Sequence, residues 1–132
     1  MAFLEPIIAA VAAFVLGFVW YSFLFGEAWR RETGMSEEDA QSDMLRTHGL
    51  AFLMMCIIAA SINFIVNLHD IEAQTFVHGG FHGGLSAIMT AIPLVAVNYL
   101  YQKKSLKLFL IDAGYALAFF ALAGGVCAVL KF

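Results

Sequence analysis

The chain has 132 residues, 62% of them apolar and 13% charged, against about 25% charged in an ordinary soluble domain. A mean hydropathy of +0.85 excludes a soluble globular domain, and a net charge of −3 excludes the basic face that nucleic acid requires. Four bilayer crossings of about 20 apolar residues each would use about 80 residues and leave no room for a separate soluble domain. The expected architecture is therefore all-α: one domain, 1–132, forming a bundle of four transmembrane helices in a lipid bilayer.

The first apolar run covers residues 6–25. It opens on Pro6, which a helix's first turn tolerates, and closes on Trp20, Tyr21, Ser22, Phe23, Leu24 and Phe25. A cleaved signal peptide needs a basic leader, whereas the first charged side chain is Glu5, so this run is expected to stay as a membrane helix. Residues 26–46 are the long polar segment. There Ser36 is placed to cap a helix whose first turn holds Glu37, Glu38 and Asp39, acids that meet the positive end of the helix dipole. A short surface helix is expected before the second run, 47–68. The third run is 76–101 and the fourth 106–130. Pro93 should kink the third helix without ending it, because neighbouring helices can satisfy the freed carbonyl.

Arg30, Arg31 and Arg46 lie in the first connection, Lys103, Lys104 and Lys107 in the third, and none in the second. Six of the seven basic residues thus share one side, which places those loops in the cytoplasm and both termini outside. Cys56 and Cys127 differ in depth by about 13 Å at the helical rise, too far for a disulfide.

The remaining polarity falls in two layers. The inner one holds Trp20 and Tyr21, His48 at the start of the second span, Asn98 and Tyr99 near the end of the third, and Asp112 with Tyr115 in the fourth. Asp112 is the carboxylate inside a span, where an ionised acid costs about 2.5–3.5 kcal/mol, so it should face the bundle and have a partner. It reads either as a proton or cation site or as an acceptor locking helices together. The aromatic residues also suit interface anchoring.

The outer layer holds Asn63 and Asn67 near the end of the second span, His69, Asp70 and Glu72 in the short hairpin, and His78 and His82 at the start of the third. His78 and His82 are i,i+4 and share a helix face, the spacing of helical metal sites. Asp70 or Glu72 is placed to add an oxygen ligand, a set suited to zinc or a similar divalent ion. The alternatives are hydrogen-bonded packing and headgroup exposure. No cofactor other than such a metal is expected. Ser86 and Thr90 continue the polar line inward, and beside it run the small residues Gly79, Gly80, Gly83, Gly84 and Ala87. Small residues at this spacing let helices approach closely in lipid, which makes the third helix the expected centre of the bundle or of a homo-oligomer.

Two stretches, Gly17-Phe18-Val19-Trp20-Tyr21-Ser22 running on to Trp29, and Asn98-Tyr99-Leu100 followed by Ser105 to Tyr115 through Asp112-Ala113-Gly114, resemble the DUF1761 family of small bacterial integral membrane proteins. The resemblance implies four spans in a bacterial cytoplasmic membrane and assigns no chemistry. Where the family often carries an aromatic stretch in the third span, this chain has Gly83 to Thr90, which marks its histidines as a subfamily feature.

No phosphate-binding glycine loop follows a strand, and no serine or cysteine has a base in a plausible arrangement, so enzyme activity is not expected. Three functions stay open. An oligomeric permeation or transport unit for ions, protons or small solutes ranks first, motivated by Asp112 and the His82, Ser86, Thr90 line. A non-transporting scaffold or binding protein and a metal-binding protein using His78 and His82 are the alternatives.

Overall fold

A computed structural model describes residues 3–131, and among the described residues all regular structure is helical. Helix α1, Leu4–Val19, runs on through a wider π-turn, Trp20–Leu24. Two short helices follow, α2 at Gly26–Thr33 and α3 at Glu37–Gln41, and then the long α4, Met44–Val66. A hairpin with a single 3-10 turn, Ile71–Ala73, leads to α5, Phe76–Ser86, which continues through a second π-turn, Ala87–Ala91, into α6, Ile92–Tyr101. Helix α7 is Leu106–Val129. Four stretches are long and apolar enough to cross a membrane: Leu4–Leu24, Met44–Val66, Phe76–Tyr101 and Leu106–Val129. The chain is thus compatible with a multi-pass membrane protein. Its outward side chains agree, with Phe18, Phe64, Met89 and Leu94 all exposed as an apolar belt that water would not tolerate.

Local chemistry sets the ends of these helices. Ser36 caps α3 by accepting the Asp39 N–H at 3.0 Å, as its sequence context requires. The polar connection holds two helices and not one, because Gly34 takes the left-handed conformation (φ 70°) that ends α2. Thr75 caps α5 by accepting the His78 N–H at 3.2 Å. Ser105 caps α7 by accepting the Leu108 N–H at 3.1 Å, and its own hydroxyl donates to Glu32 at 2.7 Å, tying α2 to the start of α7. Pro93 lacks an N–H and its ring crowds the carbonyl four residues back. The π-turn at Ala87–Ala91 takes up that misfit, and the helix continues to Tyr101.

The fourth span, not the third, is central. Helix α7 touches α1, α4, α5 and α6, and 33% of its apolar window is buried inside the bundle against 17% for the third span. The reason is a glycine notch on α7 itself. A Cβ on Gly83 would stand 2.9 Å from the Phe120 carbonyl carbon, and one on Gly124 would stand 2.8 Å from the Gly79 carbonyl carbon. Gly79 and Gly83 therefore press backbone to backbone against Gly124. Gly80 and Gly84 face Ala121 of the same helix, and Ala87 is fully buried. The small-residue stripe, expected at the centre of the bundle or of a homo-oligomer, packs within the bundle against the chain's own fourth span. Cys56 and Cys127 are both free thiols.

Candidate functional site

The bundle has two polar ends. At the basic end, which carries α2, α3 and the connection from the third to the fourth span, three aromatic side chains converge on α7. The π-turn at Trp20–Leu24, closed by the Phe25 N–H on the Trp20 carbonyl at 2.8 Å, presents two successive residues to the same neighbour. The Trp20 indole donates to the Ile111 carbonyl at 3.0 Å, and the Tyr21 hydroxyl donates to Asp112 Oδ1 at 2.6 Å. The Tyr99 hydroxyl donates to Asp112 Oδ2. Each carboxylate oxygen thus holds one phenol, and Asp112 joins the first, third and fourth spans. In the other direction the buried Tyr115 reaches from α7 to the Ala13 carbonyl at 2.7 Å. Two glycines make room: a Cβ on Gly17 would stand 2.8 Å from the Tyr115 hydroxyl, and one on Gly114 would stand 2.9 Å from the Trp20 ring.

Two cavities adjoin this cluster. One, of about 360 Å³, is lined by Tyr21, Asp112 and Trp29 of α2. The Trp29 and Tyr21 rings meet edge to face at 6.1 Å. The other, of about 570 Å³, lies between the first and second spans, with Tyr21, His48 and Tyr115 among its walls. His48 was expected beside Asp112. It is instead exposed, packs edge-on against Phe14 at 5.6 Å and faces the larger cavity. Asn98 is exposed too. Successive helical residues differ in direction by more than a quarter turn, so only Tyr99 of that pair reaches the carboxylate.

The other end carries the hairpin. There His69, His78 and His82 bring one ring nitrogen each to within 4.8 Å of one another, with ring centroids 4.1 Å apart for His69 and His82, 4.5 Å for His78 and His82, and 5.0 Å for His69 and His78. His69 Nδ1 lies 3.2 Å from the Ile65 carbonyl, a contact that puts the proton on Nδ1 and leaves Nε2 as a lone-pair donor. The buried His78 Nε2 has no hydrogen-bond partner. Asp70 and Glu72 are exposed, and neither joins the group. The third member is His69, an imidazole from the far side of the hairpin and not from the helix face that carries the other two. The signal lay in the sequence: a short turn after a helix end that carries His69 must bring it back over the start of the next helix.

The hairpin is held rigid around the triad. Gln74 Nε2 donates to the His69 carbonyl at 2.7 Å, and Lys131 Nζ donates to Asn67 Oδ1 at 3.3 Å and to Gln74 Oε1. Asn67 Nδ2 donates to the Asn63 carbonyl at 2.8 Å and to its Oδ1 at 3.2 Å. Asn63 and Asn67 therefore brace the hairpin without joining the triad. The Ser86 hydroxyl donates to the His82 carbonyl at 2.8 Å and the Thr90 hydroxyl to the Ser86 carbonyl at 2.6 Å, so both are satisfied by their own helix.

A family model described as "Protein of unknown function (DUF1761)" matches residues 4–128. The chain belongs to the DUF1761 family. No curated protein and no solved structure matches it. In this DUF1761 chain the two stretches that carry the family likeness are the ones that meet at the basic end: Gly17, Trp20, Tyr21 and Trp29 from one, Tyr99, Asp112, Gly114 and Tyr115 from the other. The histidine triad lies outside both, at the opposite end of the DUF1761 bundle.

Proposed function

We propose that this DUF1761 chain is a multi-pass membrane protein that holds a divalent transition-metal ion at the outer end of its bundle, with His69, His78 and His82 as protein ligands. The observation that carries the reading is the buried, unpartnered Nε2 of His78 in a group of three histidines that bring one ring nitrogen each to within 4.8 Å of one another. A buried polar atom without a partner calls for an explanation, an unplaced ion among them. A metal would satisfy three nitrogens at once, whereas a proton on one ring would set a positive charge against its neighbours. Imidazole ligands suit zinc, copper or nickel, and three of them leave a tetrahedral ion one open position, the pattern of zinc sites that exchange water or a small ligand.

The orientation follows the basic residues, with Arg30, Arg31, Arg46, Lys103, Lys104 and Lys107 on the cytoplasmic side and the triad facing out. All three ligands come from one chain, so the site needs the bilayer but no oligomer. Metal binding is preferred to permeation because the hydroxyls of Ser86 and Thr90 are bonded to their own helix. It is preferred to scaffolding because the small-residue face is filled by α7.

Chelator-stripped protein in mild detergent, titrated with Zn²⁺, should take up about one tightly held ion per chain. His82→Ala should weaken binding beyond the about 10–100-fold cost of losing a group that merely orients a ligand. Asp70→Asn and Glu72→Gln should change nothing. Equal uptake by wild type and His82→Ala would overturn the assignment.

A further inference from the structure

Asp112 lies within the fourth span, and both of its oxygens accept phenol O–H groups, from Tyr21 and Tyr99. Neither partner is a cation. Among the described residues the side-chain ion pairs are Arg31 with Glu27 and Arg46 with Asp43, both local and exposed. The negative group therefore faces a cavity of about 360 Å³ whose other walls are the aromatic rings of Tyr21 and Trp29. A hard divalent ion is a poor fit, because it wants six or more oxygen ligands and this site offers one carboxylate whose oxygens are already engaged.

A carboxylate set among aromatic faces suits an ammonium group, which the rings attract through their negative π-faces. Asp112's other phenol partner already meets one: Lys104 Nζ lies over the Tyr99 ring, 4.8 Å from its centroid. The second cavity, about 570 Å³, shares Tyr21 as a wall and is otherwise mostly apolar, with Phe14, Phe18, Met44, Ala51 and Met55 around it. Methionine side chains adapt readily to a flexible chain. A charge-bearing aromatic pocket that shares one tyrosine wall with an apolar slot between two spans matches a ligand with two parts.

We propose that the basic end of the bundle binds an amphiphile with an ammonium head, the head against Asp112 between Tyr21 and Trp29 and the alkyl chain in the larger cavity. This reading is independent of the metal assignment, which concerns the opposite end.

The chain's two tryptophans, Trp20 and Trp29, both sit at this end and report on it. In protein held in dodecyl maltoside, where neutral alkyl chains are already in excess, dodecyltrimethylammonium should give a saturable change in tryptophan fluorescence. Asp112→Asn should weaken that binding about tenfold or more, equivalent to about 1.4 kcal/mol. Ala51→Phe, which fills the apolar slot, should weaken dodecyltrimethylammonium but leave tetramethylammonium unchanged. A parallel titration with phosphatidylethanolamine in the micelles separates a bilayer lipid from a free amine as the source. Decanoate binding as tightly as the cation, or affinity unchanged in Asp112→Asn, would overturn the head assignment. Unchanged affinity in Ala51→Phe would overturn the tail assignment. Should Asp112→Asn fail to fold, the decanoate comparison and Ala51→Phe in the native background still decide both.

Discussion

The two ends of the bundle treat buried polarity in opposite ways. At the basic end Asp112 is an acceptor surrounded by donors, and each of its oxygens holds a phenol. At the hairpin end three imidazoles turn nitrogens toward one another, and the buried Nε2 of His78 has no donor or acceptor to meet it. The first arrangement is complete as a lock between helices and leaves only charge to recruit a ligand. The second leaves a buried ring nitrogen unsatisfied. The difference separates polarity that is satisfied within the fold from polarity that is left open, where the proposed ion would sit.

Both ends hang on one seam, and breaking it should erase the contrast between them. Helix α5 carries two of the histidines and α7 carries Asp112, and the two meet backbone to backbone at Gly79, Gly83 and Gly124. Gly83→Leu forces a side chain into the Phe120 carbonyl, with helix backbone on both sides and no flexible neighbour to move. The expected cost is about 3 kcal/mol, the upper end of ordinary overpacking, seen as a loss of thermal stability in detergent together with loss of zinc binding. Gly84→Ala is the matched control: its Cβ would meet Leu117 at an ordinary 3.5 Å, so the melting temperature should hold. Equal tolerance of both substitutions would show that the seam does not organise the bundle.

A narrower break addresses the lock alone. A hydrogen bond to a charged group contributes about 1.5–3 kcal/mol. Tyr21→Phe should therefore destabilise the protein by about 2 kcal/mol, and Tyr99→Phe by less, since Tyr99 stands near the bundle surface beside the exposed Asn98. Neither should alter zinc affinity at the far end. A change in metal binding on Tyr21→Phe, measured by titration in the folded variant, would mean that the two ends are coupled and that the contrast drawn between them is too sharp.

Much of this was legible in the residues. Runs of apolar side chains located the four long apolar helices of the described residues, and Ser36, with acids after it, announced its own cap. The lone acid of the fourth span had to find partners, and the candidates Trp20 and Tyr21 reach its helix or the acid itself, while Tyr115 reaches back from that helix to the first. What escaped were relations between helices. Choosing Asn98 over Tyr99 depends on a rotation that the π-turns at Trp20–Leu24 and Ala87–Ala91 help to set, and nothing in a single helix's period reveals such a turn. The centrality of α7 needed Gly124 to be matched with Gly79 and Gly83, a pairing across the chain. His69 was visible as a residue but not as a ligand, because its approach to His78 and His82 belongs to the geometry of the hairpin.

The smallest expected effect concerns the line of hydroxyls between the two ends. If a path for protons or cations ran along the third helix, Ser86 and Thr90 would be its steps, and their hydroxyls would have to be free to exchange partners. Both instead donate to carbonyls one turn back, Ser86 to His82 and Thr90 to Ser86, a local arrangement that satisfies them without any neighbour. Ser86→Ala and Thr90→Val should each shift stability by no more than about 0.5 kcal/mol and leave both zinc affinity and ammonium binding unchanged. Proton or cation flux in liposomes that fell with either substitution would join the two ends by a conduit through α5 and α6, and the hydroxyls' own-helix bonds would then have to open during each passage.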